Sequence, residues 1–131
     1  MRYLVRAKLK PGKRNDLLQA IDREQLGQGS VAEGEYLYDM ARARRLADNT
    51  LCWVETCFCP TPLEEERSYW EEYFKLLQIK NAHNRKRCRD LYGTQAWACC
   101  DCTKRLEAEM ENWGRRFISE LRAASNREEG R

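Results

Sequence analysis

Residues 2 to 10 alternate so regularly that they point to one local structure. Tyr3, Val5, Ala7 and Leu9 fall on one side of an extended chain, and Arg2, Arg6, Lys8 and Lys10 fall on the other. This is the two-residue period of a strand with one buried and one wet face. Pro11-Gly12 ends it in a turn. A single strand cannot hold itself together, so the chain must build a sheet and cover its apolar side. With 131 residues there is room for one core and too little for two domains.

The remaining segments supply the partners. Asn15 or Asp16 opens a helix whose apolar positions are Leu17, Leu18, Ile21 and Leu26. A glycine-containing stretch, Gly27 to Gly34, reads as a flexible loop. A second strand is expected at 35–44, a hairpin turn at Asp48-Asn49, and a third strand at 51–59. Thr61, Pro62 and Glu64 have the pattern of an N-cap, a first helical proline and a capping box. The helix they open carries Tyr69, Trp70, Tyr73, Phe74, Leu76 and Leu77 as its stripe and fades near Asn81. The basic segment to Leu91 reads as a short helix closed by Gly93. A fourth strand follows at 95–101. Thr103 caps a last helix with Leu106, Met110, Trp113, Phe117 and Leu121. The order predicts an α+β fold: a ferredoxin-like βαββαβ sheet with helices on one face, plus a C-terminal helix. One domain is expected over 1–125, with a polar tail at 126–131.

The stretch Tyr3-Leu4-Val5-Arg6-Ala7-Lys8-Leu9-Lys10-Pro11-Gly12-Lys13, followed directly by a helix, resembles the openings of dimeric α+β barrel proteins. That superfamily includes small monooxygenases and muconolactone isomerase-like enzymes. The resemblance covers the strand order and one local motif. It implies two sheets packed face to face in a homodimer, and it carries over no catalytic residue.

The cysteines carry the chemistry. Cys57 and Cys59 end the expected third strand and Cys100 and Cys102 the expected fourth, each pair just before a capped helix. The junctions read alike, Cys-Phe-Cys-Pro-Thr and Cys-Asp-Cys-Thr, and residues two apart in a strand share a face. In a ferredoxin-like order these strands run parallel on either side of the first. Their ends then lie roughly 10 Å apart at one edge, two inter-strand spacings. Helix N-termini at that edge favour thiolates. The four cysteines are therefore candidate ligands for zinc, copper or an iron–sulfur cluster. Vicinal Cys99-Cys100 and the Cys-x-Cys pairs could alternatively oxidise. Cys52 and Cys99 read as buried small residues.

Cys88, set among Arg85, Lys86, Arg87 and Arg89, is a candidate reactive thiol. His83, the single histidine, reads as a surface residue. Arg6, Trp53 and Glu55 are expected on the open sheet face, where a dimeric barrel would enclose a pocket for a small polar molecule. A small-molecule enzyme of that kind is the alternative to a thiolate metal site. The net charge of +3 and the short basic run disfavour nucleic acid as a partner. No nucleophile elbow or phosphate loop is present. Charges at Arg2, Arg6, Lys8 and Lys10 break the first apolar stretch, so no export signal is expected, reduced thiols are, and the predicted location is cytoplasmic.

Overall fold

The alternating N-terminal segment forms β1 (Arg2–Leu9), which lies inside a sheet of five strands among the described residues rather than at its edge. The structure, a computed structural model, describes residues 2–57, 59–82 and 101–129. After β1 come α1 (Arg14–Asp22), α2 (Glu35–Arg42), β2 (Arg44–Arg45), β3 (Leu51–Thr56), α3 (Arg67–Glu71) and β4 (Phe74–Asn81). α4 (Asp101–Met110), β5 (Arg115–Arg116) and α5 (Phe117–Glu129) complete the described chain. The order across the sheet is β4-β1-β3-β2-β5, and every neighbouring pair is antiparallel. It follows that β3 and β4 run parallel to each other on either side of β1. Both end where β1 begins, with Thr56 opposite Arg2 and Asn81 opposite Tyr3.

Alternation sorts the side chains onto two faces. Tyr3, Val5 and Ala7 join Leu51, Trp53 and Phe74 in the main core, with Leu17, Tyr36, Met40, Phe117 and Leu121 from the helices above. Five rings run through it: Tyr36, Trp70, Trp53, Phe74 and Phe117 follow one another at centroid separations of 4.8, 4.7, 5.2 and 6.2 Å. Tilted and edge-on pairs of this kind each add about 0.5–1.5 kcal/mol beyond burial. The opposite face carries a smaller core of Leu4, Cys52, Val54 and Met110, with Leu106 and Trp113 packed against it. Helices therefore cover both faces, not one as expected.

Three expected elements differ. Residues 35–42 are helical, because Tyr36, Met40 and Ala43 are buried at near-helical spacing with Asp39 among them. The strand expected there shrinks to the two residues of β2. Second, residues 74–81 are a strand rather than the end of a helix. Phe74 pairs with Leu9, Leu76 with Ala7 and Ile79 with Val5, across a bulge between Arg6 and Ala7. Third, the stripe read as one last helix is divided into α4 and α5 by the turn at Trp113-Gly114. Gly114 (φ +52°) permits that turn, since a Cβ there would meet the carbonyl oxygen of Arg45 at 1.8 Å.

Asp101 lies in α4, and 95–100, the rest of the expected fourth strand, lies outside the described residues. α5 continues to Glu129, past the expected domain end at 125. Among the described residues no helix is long and apolar enough to cross a membrane.

Candidate metal centre

β3 delivers two residues to the main-core side at its end, Glu55 within the strand and Cys57 just past it. Both are buried, at 4 and 1 % exposure. The chain then leaves the sheet and turns sharply. Leu63, fully buried, holds φ at +58°, a left-handed value that costs a branched residue on the order of 1 kcal/mol and is kept by its burial. Its carbonyl accepts from Arg67 N–H at 2.8 Å, which starts the turn into α3. Thr61 does not cap that helix: Glu64 N–H bonds back to the Thr61 carbonyl in a turn, and Glu66 precedes α3.

The turn brings Glu66 back onto Cys57. Its Oε2 receives the Cys57 thiol at 3.3 Å and the Cys59 thiol at 3.7 Å. Cys57 Sγ also accepts the main-chain N–H of Cys59 at 3.3 Å. The donor atoms of Cys57, Cys59 and Glu66 lie within 4.8 Å of one another, close enough to bind one metal ion. Glu66 is only 4 % exposed and Cys59 is half-buried, so the group opens to solvent on the Cys59 side.

Burial dominates the electrostatics. It pushes the Cys57 thiol up to about 12, against main-chain hydrogen bonds from Cys59 and Leu63 that favour the thiolate. Burial likewise pushes Glu55 up to about 7, with the charge of Glu66 adding to it and the indole of Trp70 opposing it. The Trp70 Nε1–H donates to Glu55 Oε2 at 2.9 Å. Asp39, on α2, is held well above the usual carboxylate range by burial and then by the nearby charge of Glu55. A glutamate on the same turn as Glu66, Glu65, ties down the Gly27 to Gly34 stretch. It accepts from Ser30 Oγ at 2.6 Å and from Val31 N–H at 3.0 Å, so that stretch is a pinned series of turns, not a free loop.

Of the four expected cysteine ligands, the structure brings Cys57 and Cys59 together. Cys102 is the second residue of α4. Cys100 lies outside the described residues, as do Cys88, Cys99, His83 and the basic run at 85–89. Arg6, Trp53 and Glu55 do not share a face. Arg6 stands opposite Cys52 on the α4 side and bonds Asp48 at 2.7 Å and Thr50 at 2.9 Å. Trp53 and Glu55 lie beneath the helices of the main core. These three residues therefore do not line one common face, because Arg6 projects to the opposite side of the sheet from Trp53 and Glu55.

Glu66 is the residue that sequence reasoning missed. It was hidden in the Glu64-Glu65-Glu66 run, which reads as a solvated face. The signal for it is its position four residues before Trp70, which carries the buried stripe back one turn.

Compared with protein-family models, with curated proteins and with solved structures, the chain finds no match.

Proposed function

We propose that this protein is a metal-binding α+β protein of the ferredoxin-like kind, in which Cys57, Cys59 and Glu66 hold zinc. The observation that carries the reading is the convergence of two thiols on one buried carboxylate oxygen. Two sulfurs and a carboxylate suit zinc, which accepts S, N and O donors in a tetrahedron. Copper(I) prefers sulfur alone, and a cluster wants four thiolates. The ferredoxin-like assignment is supported by the β4-β1-β3-β2 order and by parallel β3 and β4 flanking β1.

The fourth ligand in this proposal is Cys102, or Cys100 two residues earlier. The direction of α4 supports it. Met110 packs with Leu4 and Val54, and Glu107, nearer the helix start, pairs with Arg2, at the edge where β3 ends. Continuing from Glu107 to residue 102 carries the helix about 7.5 Å further in that direction. The proposal does not extend to a face-to-face homodimer, because α4 occupies part of the face on which a second sheet would stack.

The test is metal analysis of protein purified in reductant without a metal-affinity tag, followed by cobalt(II) titration of the metal-free form. Near-stoichiometric zinc, with sulfur-to-cobalt charge-transfer bands that weaken in Cys57→Ser, is expected. Folded protein that takes up neither metal refutes the reading. Bands that shift in Cys102→Ser but not in Cys52→Ser identify the fourth ligand.

A further inference from the structure

A second site stands apart from the thiols. A groove of about 1020 Å³ opens between the end of β1, the Pro11-Gly12 turn and α5. Its lining includes five cations, Lys8, Lys10, Arg14, Arg45 and Arg115, and two carboxylates, Asp48 and Glu120. The carboxylates do not cancel that excess. Arg6, which is not part of the lining, already pairs with Asp48 at 2.7 Å. Glu120 is shared by Arg45 at 2.6 Å and, more loosely, by the exposed Arg115 at 3.8 Å, which places both guanidinium groups on one wall. The Lys10 ammonium donates to the carbonyl of Glu71, a neutral partner that positions the charge without cancelling it. Lys8 is exposed and has no ion pair among the described residues.

The floor is different. Pro11, Ala123 and Ala124 line it above the nearly buried Phe117 and Leu121, and the Arg45 guanidinium lies 5.7 Å from the centre of the Phe117 ring. The groove is open and lined by a mixture of polar and apolar groups, with room for a small ligand. Guanidinium and ammonium groups at its rim match phosphate oxygens. We propose that this groove binds a small organic phosphate, its phosphates at the Lys8 and Arg115 rim and its apolar body along α5. A nucleic-acid backbone is a poorer fit, because Asp48 and Glu120 interrupt the cationic track that it would follow.

The experiment is calorimetric titration of the full chain at low ionic strength, where ion pairing is least screened. The probes are adenosine triphosphate, inorganic pyrophosphate and a short single-stranded oligonucleotide. Saturable triphosphate binding, about tenfold or more tighter than pyrophosphate, is expected because only the nucleotide reaches the floor. Lys8→Glu with Arg115→Glu should weaken it at least about tenfold. Lys80→Glu with Lys104→Glu, an equal change of charge at exposed positions outside the groove, should leave it within about twofold. Lys8 and Arg115 are exposed, so both pairs of substitutions should melt like the parent, and Lys8→Gln with Arg115→Gln repeats the test without new charge. The proposal is overturned if the wild type shows no saturable triphosphate binding or if pyrophosphate binds as well as the nucleotide. Equal losses in the two pairs of variants, or tighter binding of the oligonucleotide, overturn it too.

Discussion

Trp70 donates its indole N–H to Glu55 Oε2 at 2.9 Å. One step further along the same two segments, Cys57 meets Glu66 at 3.3 Å. Glu55 and Cys57 are two apart at the end of a strand, and Glu66 and Trp70 are four apart on a helical turn. The two contacts are successive rungs between the same pair of elements, so what happens to one is felt at the other.

The first prediction concerns protons. In the metal-free site one carboxylate oxygen receives two thiol protons, and a bound metal must take their place. Zinc uptake near neutral pH should therefore release about three protons, two from Cys57 and Cys59 and one from the fourth thiol, read from binding enthalpies in buffers of different ionisation heat. Glu66→Gln, which replaces an anionic ligand by a neutral one, should weaken zinc at least about tenfold, no less than the loss of an outer-shell partner. An unchanged affinity in that variant would remove Glu66 from the ligand set.

A second prediction follows from the raised Cys57 thiol. Its folded value of about 12 lies above that of an unfolded thiol, so the folded state disfavours the thiolate. The contribution is intact below the unfolded value, about 8.5, and is lost as pH rises towards 12. Urea midpoints of metal-free, reduced protein should fall across this range. Tyr3, Tyr36 and Tyr73 are raised in the same direction, so the informative quantity is the difference from Cys57→Ala. That difference should narrow as pH rises, and a parallel pair of curves would contradict it.

Glu55 gives the same sign at lower pH. Raised to about 7 by burial, it costs nothing while protonated in both states and destabilises the fold as pH climbs from about 4.5 through 7. Glu55→Gln should match the wild type near pH 4.5 and exceed it near pH 8, by roughly 3 kcal/mol at most. Trp70→Phe keeps a ring but removes the donor. It should cost roughly 1–3 kcal/mol, more at pH 8 than at pH 5, since the lost bond is then to a charged oxygen. Denaturant curves at the two pH values check both variants.

Gly27 offers a steric test. It holds φ at +74°, and a Cβ there would meet the Tyr36 ring at 2.1 Å. Gly12 holds φ at +77° with open space around it. Gly12→Ala should cost about 1–2 kcal/mol from backbone strain alone. Gly27→Ala should cost about 1–3 kcal/mol more, because Tyr36 is buried and cannot retreat. Thermal melts of the two variants compare the terms, and equal losses would mean that the ring yields.

Much of the sheet could be read from the chain. β1 was visible because its alternation is unbroken, and β3 because its run of Leu, Cys, Trp, Val and Glu is bounded by turn residues. β4 was not. The bulge opposite Arg6 and Ala7 turns Leu76 and Ile79 towards the same side although they are three apart. A spacing of three copies the helical period, so the strand merged with the stripe of Tyr69 and Trp70 before it. α2 was missed for a related reason: its buried face includes Asp39, a residue that pattern reading assigns to solvent. At the site, the Cys-x-Cys pair was legible as two soft donors on one strand end. Its carboxylate partner depends on the left-handed turn at Leu63, which nothing in the identity of a leucine announces.

That turn has a topological consequence. Cys57 and Glu66 are nine positions apart and touch, so an ion joining them closes a small ring at the end of β3. Short rings restrict little of the unfolded chain, since closure entropy grows with the logarithm of loop length. Through Cys57, Cys59 and Glu66 an ion would clasp this turn locally, and through the fourth ligand proposed above it would also tie the start of α4 to the end of β3. Its removal should speed amide exchange in residues 59–66 while leaving the protection of β1 and β3 unchanged.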